Sequence, residues 1–346
     1  MAEDVAEQEP VEQGLALRDD WLGLTREDVI EPERVIVDPH FHFFVENELF
    51  PRYEMADLQQ DMSGHGVRQA VFMECEEGYR KDGPEHLRPV GESEWVRDLA
   101  SRPADGGMEI VAMIGDAQLY NGGRKAAETL DAHLEASPLF RGVRDMGVWD
   151  PSPEVDSAEF ATDDDFYGES AFREGFAELA RRGLVFEAHQ YHRQLPSVAS
   201  LAQAFPETTI VVNHLGSPLG TGPYAGRADE IFPQWQRNLS EVAAYPNCVI
   251  KLGGLAMPWN GFGWEARDRP PSSDEFVATY SRYYDHALQI FGPDRCMFES
   301  NFPVDKLSLS YDVLWNAFKK IAASYSEDEK DALFRGTATR IYGIEP

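Results

Sequence analysis

Cysteine is nearly absent from this 346-residue chain: only Cys75, Cys248 and Cys296 occur. They lie far apart with no C-x-x-C spacing, which excludes a disulfide framework or a thiolate metal knot. Each sits in an apolar, strand-like run, where a free thiol packs as a small hydrophobe. Basic residues are also scarce, 31 against 61 acidic ones, for a formal net charge of −30. So acidic a surface repels nucleic acid and anionic membranes, and neither is expected as a partner. No uninterrupted apolar run is long enough to cross a bilayer, and no basic, apolar leader opens the sequence, so a cytoplasmic location is expected. A G-x-G-x-x-G turn is missing too; Gly220, Gly222 and Gly226 have a different spacing, which removes the main support for a dinucleotide-binding open sheet.

What is present is a regular alternation. Short apolar runs recur at Val35–Phe44, Gln69–Cys75, Glu109–Ala117, Phe140–Gly147, Leu184–Gln190, Thr209–Gly216, Cys248–Gly254 and Cys296–Pro303. Between them lie segments with helical spacing, such as Arg124–Ala136, Ala171–Arg181 and Phe276–Phe291. Strands alternating with helices predict a parallel sheet, and eight such units predict closure into a single (β/α)8 TIM barrel, with an open doubly wound sheet as the alternative. The barrel is expected over residues 35–346, behind an acidic extension, 1–34, on which Trp21 and Leu22 dock locally. The longest insertions, Glu76–Glu92, Trp149–Ser170, Leu219–Gln234 and Ala256–Asp274, follow C-terminal strand ends, where barrel enzymes carry their active-site loops. The last, with Trp259, Phe262 and Trp264, reads either as a lid or as a loop that holds itself together.

Polar groups gather at the same strand ends. His40 and His42 in the run VIVDPHFHFF fall on one strand face and make half a metal site. Glu74 and Glu76 end the second run and Arg144 and Asp145 the fourth. His189 and His192 end the fifth, His214 the sixth, Lys251 lies in the seventh, and Glu299 and Asn301 in the eighth. Five histidines at three strand ends suit a metal site or a proton shuttle better than an ordinary core.

The chain resembles the amidohydrolase-related hydrolases of the second, aminocarboxymuconate-semialdehyde decarboxylase-like type, particularly the lactonase branch. The resemblance rests on DPHFHFF (38–44), FRGVRDMGVWDP (140–151), YHRQLP (191–196), VVNHLGSPLGTGPYAG (211–226), CMFESNFPVDK (296–306) and FRGTATRIYG (334–343). It implies a barrel hydrolase in which the first-strand H-x-H, a fifth-strand His and an eighth-strand Asp surround the reacting centre, with a sixth-strand His assisting. Carried over, these are His40, His42 and His192 as metal ligands and His214 and His192 as catalytic groups. His192 is preferred to His189 because it lies in the Y-H-x-Q-L-P pattern.

The eighth strand departs from the family: Asn301 stands where many members have Asp, and an amide cannot act as a base. Glu299 and Asp305 are the alternative bases. The expected enzyme holds a divalent metal, zinc by its imidazole ligands, and hydrolyses a small carboxylate-bearing lactone, ester or amide. Arg144 grips the carboxylate, unless it is tied up in an ion pair with Asp145 or Glu187. A metal-free lactonase using histidine and arginine electrostatics, or a barrel that binds without catalysis, are the alternatives; self-association is left open.

Overall fold

The computed structural model describes residues 15–45, 50–102 and 107–345. Eight parallel strands, β1 (Ile36–Phe41), β2 (Val67–Met73), β3 (Glu109–Gly115), β4 (Phe140–Met146), β5 (Val185–His189), β6 (Ile210–Val212), β7 (Cys248–Leu252) and β8 (Cys296–Phe298), pair in sequence order. A parallel bridge from Phe41 to Phe302 brings the end of the eighth unit back to β1. The result is the (β/α)8 barrel that the alternation predicted.

The two-residue strand period sets what fills the barrel. Val37, Val71, Met73, Ala112, Ile114, Val185, Val211, Val249 and Met297 form a lower apolar cluster together with Ala338, Tyr342 and Ile344 from the C-terminal end. Moving up by two residues from Val185, Val249 and Met297 reaches Glu187, Lys251 and Glu299, all fully buried. The face that is apolar at the floor is therefore charged near the mouth. Outside, the helices bury a larger cluster rich in Phe, Tyr and Trp, as their one-sided apolar spacing requires.

Of the N-terminal extension, residues 15–34 are described. Trp21 Nε1 donates to the Arg267 carbonyl at 2.9 Å and Thr25 Oγ1 to that of Pro270 at 2.8 Å. Glu27 accepts from Ser273 N at 2.7 Å, at the start of the helix Ser273–Phe291. This segment thus straps the loop after β7. Trp21→Ala should raise amide hydrogen exchange across residues 265–270 severalfold, while global stability changes by about 1 kcal/mol or less. Unchanged exchange there would mean that the loop holds itself.

Candidate active site

The end of β1 is fixed by backbone rather than by side chains. His42 N donates to the Phe302 carbonyl at 2.8 Å, and Asn301 N to that of His40 at 2.9 Å. Below them the buried Asp38 accepts from Ser300 N and Tyr311 OH, both at 3.0 Å. Burial pushes its pKa up to about 6, against the pull of those donors.

On this frame His40 Nε2 and His42 Nε2 face each other at 3.1 Å. His42 Nδ1 lies 2.9 Å from the Met73 carbonyl, which can only accept, so its proton is on Nδ1 and its Nε2 is a bare lone pair. Burial holds both rings well below the usual histidine range; Lys251 adds to this for His40 and Arg144 for His42. Both are neutral imidazoles, the form that ligates a metal.

His214 and Glu299 complete the cluster. Glu299 Oε1 lies 2.8 Å from His214 Nδ1, and Oε2 lies 2.8 Å from His40 Nδ1. Burial pushes Glu299 up to about 7, with Lys251 opposing. His214 and Leu215 both adopt left-handed backbone, φ 51° and 54°. The sharp turn lays the His214 ring against Gly254, where a Cβ would stand 2.3 Å from Nδ1, so only glycine fits there. Among the described residues, His40, His214 and Glu299 are the group whose ligand atoms all lie within 4.8 Å of one another. The expected trio His40, His42 and His192 is not brought together as such a group.

At the fifth-strand position the structure separates the two candidate histidines. His189 ends β5 on the same face as Glu187, its ring centroid 4.9 Å from that of His214, and neither of its ring nitrogens has a partner. Past it the chain enters a short 3₁₀ turn at His192–Gln194, which carries His192 beneath the next loop. There His192 Nδ1 accepts from Leu219 N at 3.3 Å and the ring meets Tyr224 edge-on at 5.8 Å. The sequence cue for His189 was its strand period, Val185, Glu187, His189; the Y-H-x-Q-L-P pattern instead serves the turn, where Gln194 Oε1 accepts from Tyr191 N and Trp149 N.

Arg144 reaches the mouth but is already engaged. Its Nε donates to Glu74 Oε1 at 2.6 Å and Nη2 to the Glu74 carbonyl at 2.8 Å, leaving Nη1 3.5 Å from His40 Nε2. The partner is thus neither Asp145 nor Glu187. Asp145 accepts from Leu119 N at 2.9 Å, and Glu187 pairs with Lys251 at 2.9 Å.

Asn301 also lies at the site, in left-handed backbone with φ 54° and bearing on the His42 ring. Its Nδ2 donates to Asp305 Oδ2 at 2.6 Å, and its buried Oδ1 has no partner. Asp305, pushed up to about 8 by burial, also accepts from Ala256 N at 2.9 Å and so braces Asn301 and the β7 loop. Of the two alternative bases, Glu299 touches the histidines, whereas Asp305 stands behind Asn301.

The loop after β7 divides. Trp259 packs with the Phe44, Met257 and Val304 cluster, beside the segments that follow β1 and β8. Phe262 stacks edge-on to Tyr280 at 4.4 Å, and Trp264 Nε1 donates to Tyr280 OH at 2.5 Å, both holding the loop to its own helix.

As a test of metal fit, the His42 Nε2 lone pair faces the His40 Nε2 at 3.1 Å, and Asn301, which bears on the His42 ring, has a buried Oδ1 without a partner. Convergent nitrogen and oxygen lone pairs in a buried site are the donor set of a divalent cation.

Comparison with known proteins agrees with this geometry. The family profile described as "Amidohydrolase" matches residues 37–344. An uncharacterized protein, y4mH, of Sinorhizobium fredii is 30% identical over 331 residues, covering 89% of this chain and 98% of the relative. An L-fucono-1,5-lactonase of Burkholderia multivorans is 28% identical over 316 residues, covering 89% and 96%. A crystal structure of a Burkholderia multivorans amidohydrolase with bound HEPES superposes with TM-score 0.70 at 25% identity, over 90% of this chain and all of that one. A second crystal form, with bound zinc, superposes with TM-score 0.70 at 24% identity and shares the fold. With the profile spanning nearly the whole barrel and the strand-end histidines converging at its mouth, the chain belongs to the amidohydrolase family of enzymes.

Proposed function

We propose that this enzyme hydrolyses a small lactone, with a divalent metal, zinc, held by His40 and His42 through their Nε2 atoms. The observation that carries the reading is the pair of Nε2 atoms 3.1 Å apart, with His42 locked by Met73 in the tautomer that leaves its Nε2 bare. Asn301 Oδ1 and His189, buried without partners, are the further donors nearby. Zinc in such a site supplies Lewis acidity, polarising the carbonyl and making water more acidic. The chain's own groups do the rest. Glu299 holds the His214 ring by its Nδ1, which leaves Nε2 to pass a proton to or from the substrate. Glu299, raised to about 7 and in contact with two rings, replaces the missing aspartate as proton acceptor.

The lactone class comes from the Burkholderia relative, which is a lactonase by name. Arg144 bears on whether the substrate carries a carboxylate. Two of its nitrogens are spent on Glu74, so it offers one point of contact rather than a fork, and its charge is already balanced. This favours an uncharged, sugar-like lactone over the carboxylate-bearing one. The decisive experiment assays chelator-stripped protein against both lactone classes, with and without added zinc. Zinc-restored turnover supports the proposal. Full turnover without zinc transfers the chemistry to the second reading, in which Arg144 and Lys251, 3.5 and 3.4 Å from His40, provide the positive charge.

Asn301→Asp should raise zinc affinity on the order of tenfold, since an anionic oxygen outcompetes an amide as ligand. The gain is opposed by Asp305, 2.6 Å from Asn301 Nδ2, which must keep its proton beside a second carboxylate. Zinc titration of the variant checks this; an unchanged dissociation constant would place Asn301 outside the metal's reach.

A further inference from the structure

The loops over the barrel mouth are joined by two seams of different kind. Between the β6 and β7 loops the seam is backbone on backbone. Gly220 N donates to the Trp259 carbonyl at 3.3 Å, and the chains lie so close that a Cβ on Gly220 would stand 1.8 Å from the Asn260 carbonyl oxygen. Between the β4 loop and its neighbours the seam is made of side chains. Residues 150–157 form an exposed tip, closed at its base by Ala158 N donating to the Val148 carbonyl at 2.9 Å. Among the described residues, no backbone–backbone hydrogen bond of this tip leaves the β4 loop. Arg193 holds it instead, donating to Asp150 Oδ2 at 2.7 Å and to Asp164 Oδ2 at 2.8 Å. Tyr224 OH donates to the same Asp150 oxygen at 2.6 Å, and Tyr191 OH to the Asp156 carbonyl at 2.8 Å. Val155, Tyr191 and Leu219 add a small apolar cluster apart from the main core. Asp150, Arg193 and Tyr224 come from three of the sequence motifs, and none has a part in the chemistry above.

The partners of the tip show that it crosses from the end of β4 over the end of β5 to the β6 loop. Those two strand ends carry Arg144 and His189, the most exposed residues of the site at 5% and 9%. His40, His42, His214, Glu299 and Asn301 are at 3% or less.

We propose that residues 150–157 are the lid through which substrate reaches the site, and that Arg193 is its latch. Ion pairs at the edge of water and a satellite apolar cluster are weak enough to part without unfolding the barrel. On opening, water replaces the donors to Asp150, so no buried charge is stranded. The backbone seam of the β6 and β7 loops has no such alternative, and the N-terminal strap holds the β7 loop from outside. The aromatic β7 loop is thus a fixed wall, and the polar β4 tip is the part that moves. Closing it over bound substrate shuts water out of the reaction.

Glu154→Cys/Gly222→Cys in the full-length protein tests this by tying the lid shut. A Cβ on Gly222 stands 3.0 Å from that of Glu154, and a disulfide needs about 3.5–4.5 Å, an adjustment that two surface loops can make. Once the cross-link is verified by mass, kcat/KM on the lactone that wild type hydrolyses should fall on the order of tenfold and return on reduction. Access is read separately with diethyl pyrocarbonate, which acylates neutral imidazole, on chelator-stripped protein. His189 should react on the order of tenfold more slowly in the cross-linked than in the reduced form, and the half-buried His86 equally fast in both. Wild type, with its three free cysteines, should not respond to the oxidant. Arg193→Met needs no cross-link: His189 should react severalfold faster than in wild type, while the fully buried His133 stays unreactive, as it would not in an unfolded chain. Cross-linked protein whose His189 is acylated as fast as in its reduced form overturns the proposal, whatever its turnover. So does a wild-type rate at His189 in Arg193→Met. The turnover measurement rests on the lactone reading above, and the acylation does not. Acylation that follows the cross-link in a protein that hydrolyses neither lactone class upholds the lid and overturns the lactone reading.

Discussion

The His40→Ala/His42→Ala double variant is expected to lose zinc binding and to turn over its lactone roughly a thousandfold more slowly, the loss of the several kcal/mol that a Lewis acid provides. The fold should survive. The contacts that close the barrel here, His42 N to the Phe302 carbonyl and Asn301 N to that of His40, are backbone bonds that alanine keeps. The remaining donors, Asn301 and the Glu299–His214 pair, do not make a site by themselves, because the cation would lose two imidazoles of the few donors within reach. Metal content by elemental analysis and kcat/KM on one preparation check both halves. Retained activity in a zinc-free double variant would remove metal from the reaction and leave Arg144, Lys251 and His214 to stabilise charge.

Arg144→Met is expected to destabilise the protein by about 3–5 kcal/mol, the cost of stranding one partner of a buried ion pair. Arg144 and Glu74 expose only 5% and 4% of their side chains, so water cannot replace the lost guanidinium. The surroundings make matters worse. Glu92 and Asp145 are buried and Asp116 is half-buried, and the charge of Glu74 adds to the burial that pushes each of them up. Arg144→Met/Glu74→Gln should recover most of the loss, because no buried charge remains unpaired. Urea unfolding of the three proteins decides it, with equal midpoints for wild type and Arg144→Met as the result that would sink the argument. The kinetics add a second discrimination. If Arg144 Nη1 touches substrate, the stable double variant still has a raised KM; if the arginine serves only Glu74, its KM is that of wild type.

The barrel was legible because its causes are local. Apolar runs with a two-residue period and helical segments between them need only a few neighbouring residues to specify, and their alternation left little choice of architecture. The same period placed His40, His42, Arg144, His214, Glu299 and Asn301 at strand ends, and the mouth of a parallel barrel is where strand ends meet. At the fifth strand the motif and the period point to different residues: the pattern Y-H-x-Q-L-P serves a turn, and the residue in strand phase, His189, is the one that meets His214.

What the sequence by itself determined was thus the eightfold repeat, the face each strand-end residue occupies and the absence of a carboxylate at position 301. What only the tertiary structure decided was who pairs with whom: Arg144 with Glu74 across 70 residues, and Lys251 with His40 across 211. Strand and helix periods act over a few residues, whereas charge pairing in a buried site depends on distances of 3–4 Å between chain segments that sequence order leaves unrelated.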